Sequence, residues 1–232
     1  MNYAIILAGG TGTRVGGDVP KQYLLVNDRP IISYCLETFQ GNDKIDKIVI
    51  VVSEQWEKYV EKLTRKEKIT KYIGLTIAGE TRQHSIINGL IYIKKCGANL
   101  DDNIIIHDAA RPCVSDDIIN QCIELLEESD GAMPVLPVKD TVYLSVNGKT
   151  ISSMLNRDEV YAGQAPESFK FGKYFDANMA LSDEDLLSIR GSSEVAFRNG
   201  MNIRLFRGSD SNYKITTLND LKRFEKEKSI YK

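Results

Sequence analysis

Short apolar runs alternate with amphipathic stretches through most of this chain. The first run, Tyr3–Ala8, is apolar at every position and stops at two glycines, and a second run follows at Lys47–Ser53. Runs that are apolar throughout, rather than at every other residue, are typical of parallel strands covered on both faces. A helical pattern at residues 30–40 separates the two runs, which predicts a strand–helix–strand unit.

The same alternation continues towards the C-terminus. Further strands are predicted at residues 75–78, 103–107, 132–138 and 203–207. Further helices are predicted at residues 55–67, 82–95, 115–128, 171–181, 183–200 and 218–228. Strands that alternate with helices on this scale form parallel sheets with helices on both faces. The sequence therefore predicts an α/β fold with a Rossmann-like, doubly wound and mostly parallel sheet.

Residues 138–164 interrupt this rhythm. They contain a hairpin pattern, with strands at residues 141–146 and 150–155 and a turn at Asn147-Gly148. We expect an antiparallel β-arm that projects from the sheet edge and packs against a second subunit; a short surface hairpin is the alternative. Because no flexible linker interrupts the sequence, we expect residues 1–232 to form one domain that carries this arm.

Composition and charge narrow the classes of function. Of the 232 residues, 42% are hydrophobic and 27% are charged, which is typical of a globular protein. The 30 basic and 32 acidic side chains leave a formal net charge of -2, so no overall basic field favours a nucleic-acid backbone. A polyanionic ligand must therefore be bound by a few local cations.

The sequence also lacks the signals of membrane insertion and secretion. No apolar run is long enough to cross a membrane, and the N-terminal run is too short for a secretory signal. The four cysteines, Cys35, Cys96, Cys113 and Cys122, form no CxxC pair and share no zinc-like spacing with the histidines. We expect a cytoplasmic protein with reduced thiols.

A glycine-rich loop follows the first strand. The glycines within residues 9–12 allow successive backbone N–H groups to point at one spot, which suits phosphate oxygens. The spacing is not that of a Walker A loop, and the last glycine of a dinucleotide fingerprint falls one residue late, at Gly16. Arg14 and Lys21 lie on the same segment, where they could stabilise the charge of a departing pyrophosphate; solvated loop cations are the alternative.

Residues 7–23, LAGGTGTRVGGDVPKQY, resemble the signature of nucleotidyltransferases that make activated sugars and polyols. The Pro-Lys-Gln ending is similar to that of the cytidylyltransferases that act on 2-C-methyl-D-erythritol 4-phosphate and on ribitol 5-phosphate. Further segments match that family in order: Gly79–Ser85, His107–Pro112, Asp140-Thr141, Asn156–Pro166 and Ser211–Thr217. The resemblance covers nearly the whole chain and implies a nucleotide-diphospho-sugar transferase-like fold.

The resemblance implies transfer of CMP from CTP to a polyol phosphate, with release of pyrophosphate. It assigns catalysis to Arg14, Lys21 and Lys214. It assigns nucleotide binding to Leu7, Ala8, Gly9, Gly10, Gly12, Thr13, Gly79, Arg82, Ser85, Asp108 and Ala109. It assigns acceptor binding to Arg111, Thr141 and Arg157. It assigns to Asp108 either a divalent cation, Mg²⁺ or another, or the ribose-phosphate region of the nucleotide.

Several of these assignments have alternatives. Arg82 could merely begin a helix, and Ser85 could face solvent. His107 and His84 are interpreted as structural, because a phosphate dianion is a competent nucleophile and needs no general base. If the arm is exchanged between subunits, Arg157 would serve the site of the other subunit, which makes a homodimer the expected assembly.

The motifs disagree about the acceptor. Thr81–Ser85 and His107–Pro112 look more like the methylerythritol enzymes, whereas Asn156–Pro166 looks more like the ribitol enzymes. Because the acceptor-side segment should decide the acceptor, we favour ribitol 5-phosphate, which gives CDP-ribitol, and keep 2-C-methyl-D-erythritol 4-phosphate as the alternative. Two other classes stay open, a nucleotide-binding regulatory module and an NAD(P)-dependent oxidoreductase.

Two segments depart from the family pattern. Arg190–Glu194 stands where both groups of enzymes usually carry a Thr-Asp or similar acidic motif, so a carboxylate is missing from that part of the site. Ser211 stands where the methylerythritol enzymes have an aspartate three residues before the lysine that Lys214 matches. Both departures raise the question of how the local site is completed.

Overall fold

A computed structural model describes residues 1–10, 12 and 19–229 of the protein. The strands are β1 (Asn2–Leu7), β2 (Leu25–Val26), β3 (Arg29–Pro30), β4 (Lys47–Val52), β5 (Tyr72–Ile77), β6 (Asn103–Asp108), β7 (Gly131–Pro137), β8 (Tyr143–Leu144), β9 (Ser153–Met154), β10 (Tyr161–Gly163), β11 (Glu167–Lys170) and β12 (Ile203–Arg207). The helices are α1 (Ile31–Gly41), α2 (Glu57–Lys66), α3 (Arg82–Lys95), α4 (Asp116–Glu124), α5 (Phe171–Met179), α6 (Asp183–Ser188), α7 (Ser192–Arg198) and α8 (Leu218–Ser229). Short 3-10 helices lie at Lys21–Tyr23, Glu54–Trp56, Leu125–Glu127 and Arg157–Glu159.

The central sheet is mostly parallel, as predicted. Strands β5, β4, β1 and β6 lie side by side and run in the same direction. Strand β11 runs antiparallel between β6 and β7, β10 pairs antiparallel with the other end of β7, and β12 pairs parallel with β7. The α/β, Rossmann-like prediction is therefore confirmed, with antiparallel strands β10 and β11 that the sequence pattern did not predict.

Both faces of the sheet are covered by helices, which explains the continuously apolar strands. Alternate side chains of one strand point to opposite faces. In β1, Ile6 packs in a cluster with side chains of α1 and α4, whereas Ile5 packs with side chains of α3 and α5 on the other face. Each fully buried side chain of this size contributes about 1.5–3 kcal/mol of transfer free energy. The two clusters therefore stabilise the sheet from both faces.

The predicted hairpin forms strands β8 and β9, which pair antiparallel over two residues each. The side-chain oxygen of Asn147 accepts from the backbone N–H groups of Lys149 and Thr150, and Gly148 has a φ of 68°. These contacts close the turn where Asn-Gly predicted it. Because β10 pairs with β7 of the central sheet, residues 161–163 of the segment predicted as the arm belong to that sheet.

The predicted helix at residues 183–200 is two helices. Ser182 and Asp185 form a capping box that begins α6, and the backbone is extended at Ile189 and Gly191 before α7 begins. Ile189, at the break, is buried in the same hydrophobic cluster as Ile5. Within the described ranges, no helix is long and apolar enough to cross a lipid bilayer.

Candidate functional site

A cavity of about 480 Å³ opens at the carboxyl ends of the parallel strands. Open parallel sheets bind ligands at this edge, because the strand-to-helix loops converge there. The lining combines backbone from the glycine-rich loop with charged and polar side chains from four separate segments. The lining residues are Leu7, Gly9, Gly10, Gly12, Lys21, Gln22, Gly79, Glu80, Thr81, Arg82, Ser85, Asp108, Ala110 and Lys214.

Two buried side chains hydrogen-bond to the backbone of the described part of the glycine-rich loop. The Gln22 amide donates to the carbonyls of Ala8, at 2.6 Å, and Gly10, at 2.7 Å. The Tyr23 hydroxyl also donates to the Ala8 carbonyl, at 3.1 Å. These bonds occupy carbonyl oxygens, so the loop is left to present its N–H groups to a ligand.

Gly12 lies against the segment that carries the catalytic candidate Lys21. It has a φ of 68°, and a Cβ atom there would lie 2.7 Å from the Lys21 backbone nitrogen. Only glycine fits both the conformation and the close approach. Lys21 itself lines the cavity, whereas Thr13 and Arg14 lie outside the described residues.

Asp108 ends β6 at the floor of the cavity and is surrounded by cations. Its Oδ2 atom lies 2.9 Å from Lys214 Nζ and 3.7 Å from Arg111 Nε, and its Oδ1 atom lies 3.5 Å from Arg82 Nη2. Burial alone would raise the pKa of Asp108, but these three cations hold it well below its usual range. The carboxylate is therefore ionised and concentrates positive charge from three chain segments at one place.

The loop that carries Lys214 is docked by two buried amides. Gln164 donates to the Ser209 carbonyl at 2.9 Å and accepts from the Ser209 N–H at 3.1 Å. The Asn212 side-chain amide donates to the Ala165 backbone carbonyl at 2.7 Å. The Asn212 backbone carbonyl accepts from Arg111 Nη1 at 2.7 Å. The position of Lys214 is thus fixed by the junction between β10 and β11, where the arm returns to the sheet.

The first turn of α3 forms the opposite wall. The Thr81 side chain caps the helix by accepting from the His84 N–H at 3.2 Å. The Ser85 hydroxyl accepts from the Gly79 N–H at 3.1 Å and donates to the Thr81 carbonyl at 3.0 Å. Ser85 lines the cavity, and its hydroxyl closes the loop between Gly79 and the helix.

A carboxylate that the sequence analysis missed lies behind Arg82. Glu167 of β11 accepts from the Ser192 hydroxyl at 2.6 Å, and that hydroxyl accepts from Arg82 Nη1 at 2.9 Å. Ser192 belongs to the Arg190–Glu194 segment, whose missing acidic motif left the local site in question. The acidic group next to this segment comes instead from Glu167, which no local motif signals.

Both histidines occupy structural positions, consistent with their interpretation. His107 is fully buried, and its Nε2 atom donates to the Arg111 carbonyl at 3.0 Å. Burial lowers the pKa of His107 to about 4, so the side chain is neutral at physiological pH. His84 Nδ1 lies 2.8 Å from the Thr81 hydroxyl within the first turn of α3.

The other predicted site residues are not all brought into the cavity. Ala8 and Ala109 lie behind its wall in the hydrophobic core, where Ala109 donates its N–H to the Leu7 carbonyl. Thr141 and Arg157 are exposed on the arm and line no part of this cavity. Lining residues that were not singled out are Gln22, Glu80, Thr81 and Ala110, although each lies within a motif that was recognised.

The described residues contain no group of three or more His, Cys, Asp and Glu side chains that could hold a metal ion. Within the part of the chain that the structure describes, the carboxylates that line the cavity are those of Asp108 and Glu80. Such a site fits an ion that takes most of its ligands from water and from substrate phosphates, as Mg²⁺ does.

Comparisons with known proteins cover the cavity and the arm alike. The family model of 2-C-methyl-D-erythritol 4-phosphate cytidylyltransferase (IspD) matches residues 2–226. A ribitol-5-phosphate cytidylyltransferase of Lactiplantibacillus plantarum is 34% identical over 224 residues, which are 96% of this chain and 96% of that protein.

Solved structures agree with the sequence comparisons. The crystal structure of a 4-diphosphocytidyl-2C-methyl-D-erythritol synthase matches with a TM-score of 0.80 and 25% identity, over 97% of this chain and 96% of the other. The 2-C-methyl-D-erythritol 4-phosphate cytidylyltransferase (IspD) of Francisella tularensis matches with a TM-score of 0.79 and 27% identity, over 97% and 99% of the two chains.

Proposed function

This chain belongs to the 2-C-methyl-D-erythritol 4-phosphate cytidylyltransferase family, and we propose that it transfers CMP from CTP to ribitol 5-phosphate, forming CDP-ribitol and pyrophosphate. The observation that carries this proposal is the cluster of Lys214, Arg82 and Arg111 around the ionised Asp108. Asp108, Lys214 and Arg82 line the same cavity as Lys21. The surplus of positive charge suits a triphosphate and the phosphate of an acceptor.

In the proposed reaction, an oxygen of the acceptor phosphate attacks the α-phosphorus of CTP. The new bond joins that oxygen to the α-phosphorus, the bond to the bridging oxygen of the β-phosphate breaks, and its electron pair leaves with pyrophosphate. Lys21, together with Arg14, would bind the triphosphate, and Lys214 would bind the α-phosphate. Fixed cations in a partly buried site stabilise the charge that builds up on the equatorial and leaving oxygens.

The ion pair between Lys214 and Asp108 places the Lys214 ammonium at the cavity before CTP binds. The Lys214 side chain is about one-third exposed, with a relative exposure of 34%, so its ammonium can turn from the carboxylate towards a phosphate. Asp108 would then hold a Mg²⁺ ion, which when bound would neutralise and orient the phosphates. No proton needs to be removed from the attacking phosphate, which agrees with the buried, neutral His107.

We assign the nucleotide to the wall formed by the glycine-rich loop and the start of α3. The backbone of Leu7, Gly9, Gly10 and Gly12 would bind phosphate and ribose, with Ala8, Ala109 and Thr13 supporting it. Gly79, Arg82 and Ser85 would select cytosine by hydrogen bonds to its edge.

We assign the acceptor to the side of the arm, with Arg111, Thr141 and Arg157 binding its phosphate. An arginine can bind a phosphate through two parallel hydrogen bonds. Because Thr141 and Arg157 line no part of the cavity of their own chain, we propose that they complete the site of the second subunit in a homodimer. The apolar arm side chains Val146, 88% exposed, and Ile151, 64% exposed, support a surface that is covered in the assembly.

A second candidate for the acceptor is 2-C-methyl-D-erythritol 4-phosphate. The Lactiplantibacillus plantarum relative supports ribitol 5-phosphate, whereas the family description and the solved structures favour 2-C-methyl-D-erythritol 4-phosphate. The dinucleotide alternative has little support, because the chain passes through a 3-10 helix and strands β2 and β3 before α1 begins. A dinucleotide-binding loop leads directly into its helix.

The test is release of pyrophosphate from CTP and Mg²⁺ with each acceptor phosphate in a separate reaction. We expect release with ribitol 5-phosphate, and much less when UTP or ATP replaces CTP. Release with only 2-C-methyl-D-erythritol 4-phosphate would select the second candidate. Binding of CTP without turnover on any acceptor would indicate a regulatory module, and binding of a nicotinamide cofactor without CTP binding would overturn the proposal.

A further inference from the structure

The register of β11 places a second buried carboxylate beside Arg82. Glu167 lies opposite Ile106 of β6, and Asp108 is two residues further along β6. Because side chains two residues apart in a strand share a face, the two carboxylates lie on the same face of the sheet. Helix α3 covers that face, so Arg82, its first residue, has an acidic group on each side.

One hydroxyl connects Arg82 to this second carboxylate. Ser192 Oγ donates to Glu167 Oε1 at 2.6 Å and accepts from Arg82 Nη1 at 2.9 Å. A serine hydroxyl has a single proton, so donating to the carboxylate leaves its lone pairs for the guanidinium. Arg82 Nη2 also lies 3.6 Å from Glu167 Oε1. Arg82 therefore donates to Ser192, and Ser192 donates to Glu167.

The bridge is rigid because its outer members are buried. Ser192 is 0% exposed and Glu167 is 7% exposed, so their hydrogen bonds do not compete with water. The Tyr174 hydroxyl, itself buried, donates to the Ser192 carbonyl at 3.0 Å and anchors the start of α7. Hydrogen bonds that involve a charged group are stronger than those between neutral groups, so they can select one conformation of a long side chain.

Arg82 needs this second anchor to keep its place in the cavity wall. Without it, Asp108 would be the one carboxylate of the described residues left within ion-pair distance, and it would draw the guanidinium towards Lys214 and Arg111. With both anchors, the guanidinium is held between the two carboxylates, and its side chain stays 30% exposed on the cavity side. Its remaining N–H groups can then meet a ligand without first being reoriented.

We propose that Glu167 and Ser192 are positioning residues that hold the Arg82 guanidinium in place for the incoming nucleoside triphosphate. They act through Arg82 and do not themselves line the cavity. The inference rests on the proposed function only in taking CTP as the ligand. Its readout is the affinity for CTP, which is measured without an acceptor and without turnover.

The variants Ser192→Ala and Glu167→Gln test this role. Ser192→Ala removes the bridge, and Glu167→Gln keeps the shape and the acceptor for Ser192 but removes the charge. We expect each to weaken CTP binding in calorimetry by about tenfold, the loss expected for one impaired charge-assisted hydrogen bond. Where turnover is measured, the KM for CTP should rise by a similar factor and kcat should stay within about twofold.

Ser193→Ala is the matched control, because it makes the same substitution at the neighbouring residue of α7, and it should bind CTP as the wild type does. In an Arg82→Ala background, Ser192→Ala should add no further loss of affinity.

Thermal unfolding checks that the variants fold; if Ser192→Ala does not fold, the result with Glu167→Gln decides. Unchanged CTP affinity in the folded variants, an equal loss in the Arg82→Ala background, or a wild type that does not bind CTP would each overturn the proposal. CTP binding with the expected losses but no turnover would sustain it while refuting the proposed reaction.

Discussion

Lys214 Nζ lies 2.9 Å from Asp108 Oδ2, although the two residues are 106 positions apart in the chain. The pair connects the loop after β12 to the carboxyl end of β6. It brings a C-terminal cation to the cavity that the N-terminal Lys21 lines. In the proposed reaction, this convergence from distant segments would position cations around a loose, highly charged transition state.

Removing either lysine should slow turnover strongly and leave the fold intact. We expect Lys21→Ala and Lys214→Ala to lower kcat by roughly 10²–10³, because a lost transition-state charge partner costs about 3–4 kcal/mol. The measurement is pyrophosphate release, with thermal unfolding to check the fold. Lys222→Ala, an exposed lysine of α8 outside the cavity, is the control and should keep full activity. Unchanged turnover in either cavity variant would remove that lysine from its assigned role.

Gln164 should matter to catalysis although it does not line the cavity. Gln164→Ala frees the loop at Ser209, so Lys214 would lose its fixed position, and we expect kcat to fall by about tenfold. Losing a buried amide should also lower the free energy of unfolding by about 1–3 kcal/mol. The matched control is Gln121→Ala, on the exposed side of α4. If Gln164→Ala lowers kcat as strongly in a Lys214→Ala background, the effect does not pass through Lys214.

The buried His107 predicts how stability depends on pH. Its pKa is lowered from 6.5 to about 4 by burial, so between these values the unfolded chain binds the proton more readily than the folded chain. The free energy of unfolding should therefore fall as the pH drops from 6.5 to 4, by roughly 3 kcal/mol in total from this residue. Urea unfolding at a series of pH values measures it. His107→Gln, which cannot titrate, should show a shallower fall; an identical pH dependence would contradict the prediction.

The arm should set the oligomeric state. We expect the wild type to sediment as a homodimer and the double variant Val146→Asp, Ile151→Asp to sediment as a monomer. Each valine or isoleucine buried in an interface contributes about 1.5–3 kcal/mol, which a buried carboxylate would reverse. Leu218→Asp places the same charge at an exposed position at the start of α8 and should remain dimeric. A monomeric wild type, or a variant that stays dimeric, would be evidence against the proposed assembly.

Most of the fold could be predicted because its strands are apolar on both faces and its helices carry local signals. Helix α3 begins and ends where the sequence predicted, at residues 82 and 95, because Thr81 supplies its N-terminal cap. Strand β11 was missed because Glu-Ser-Phe-Lys has the composition of a loop. Its polar side chains are buried only because Ser192 and the Cys122 carbonyl, distant in sequence, satisfy them.

The sequence likewise predicted some residues of the site and missed others. Asp108 could be located because a residue that ends a buried parallel strand lies at the ligand-binding edge. The bridge from Glu167 through Ser192 to Arg82 could not, because it depends on the register of β11 and on where α7 begins. The break between α6 and α7 determines that position, and the sequence pattern predicted one continuous helix there.

Transfer of CMP to ribitol 5-phosphate can be followed by ³¹P NMR of the protein with CTP, Mg²⁺ and ribitol 5-phosphate. We expect the CTP and acceptor phosphate signals to fall together while a diphosphate diester signal and free pyrophosphate appear in equal amounts. Unchanged CTP and ribitol 5-phosphate signals, under conditions where calorimetry shows that CTP is bound, would contradict the proposed transfer.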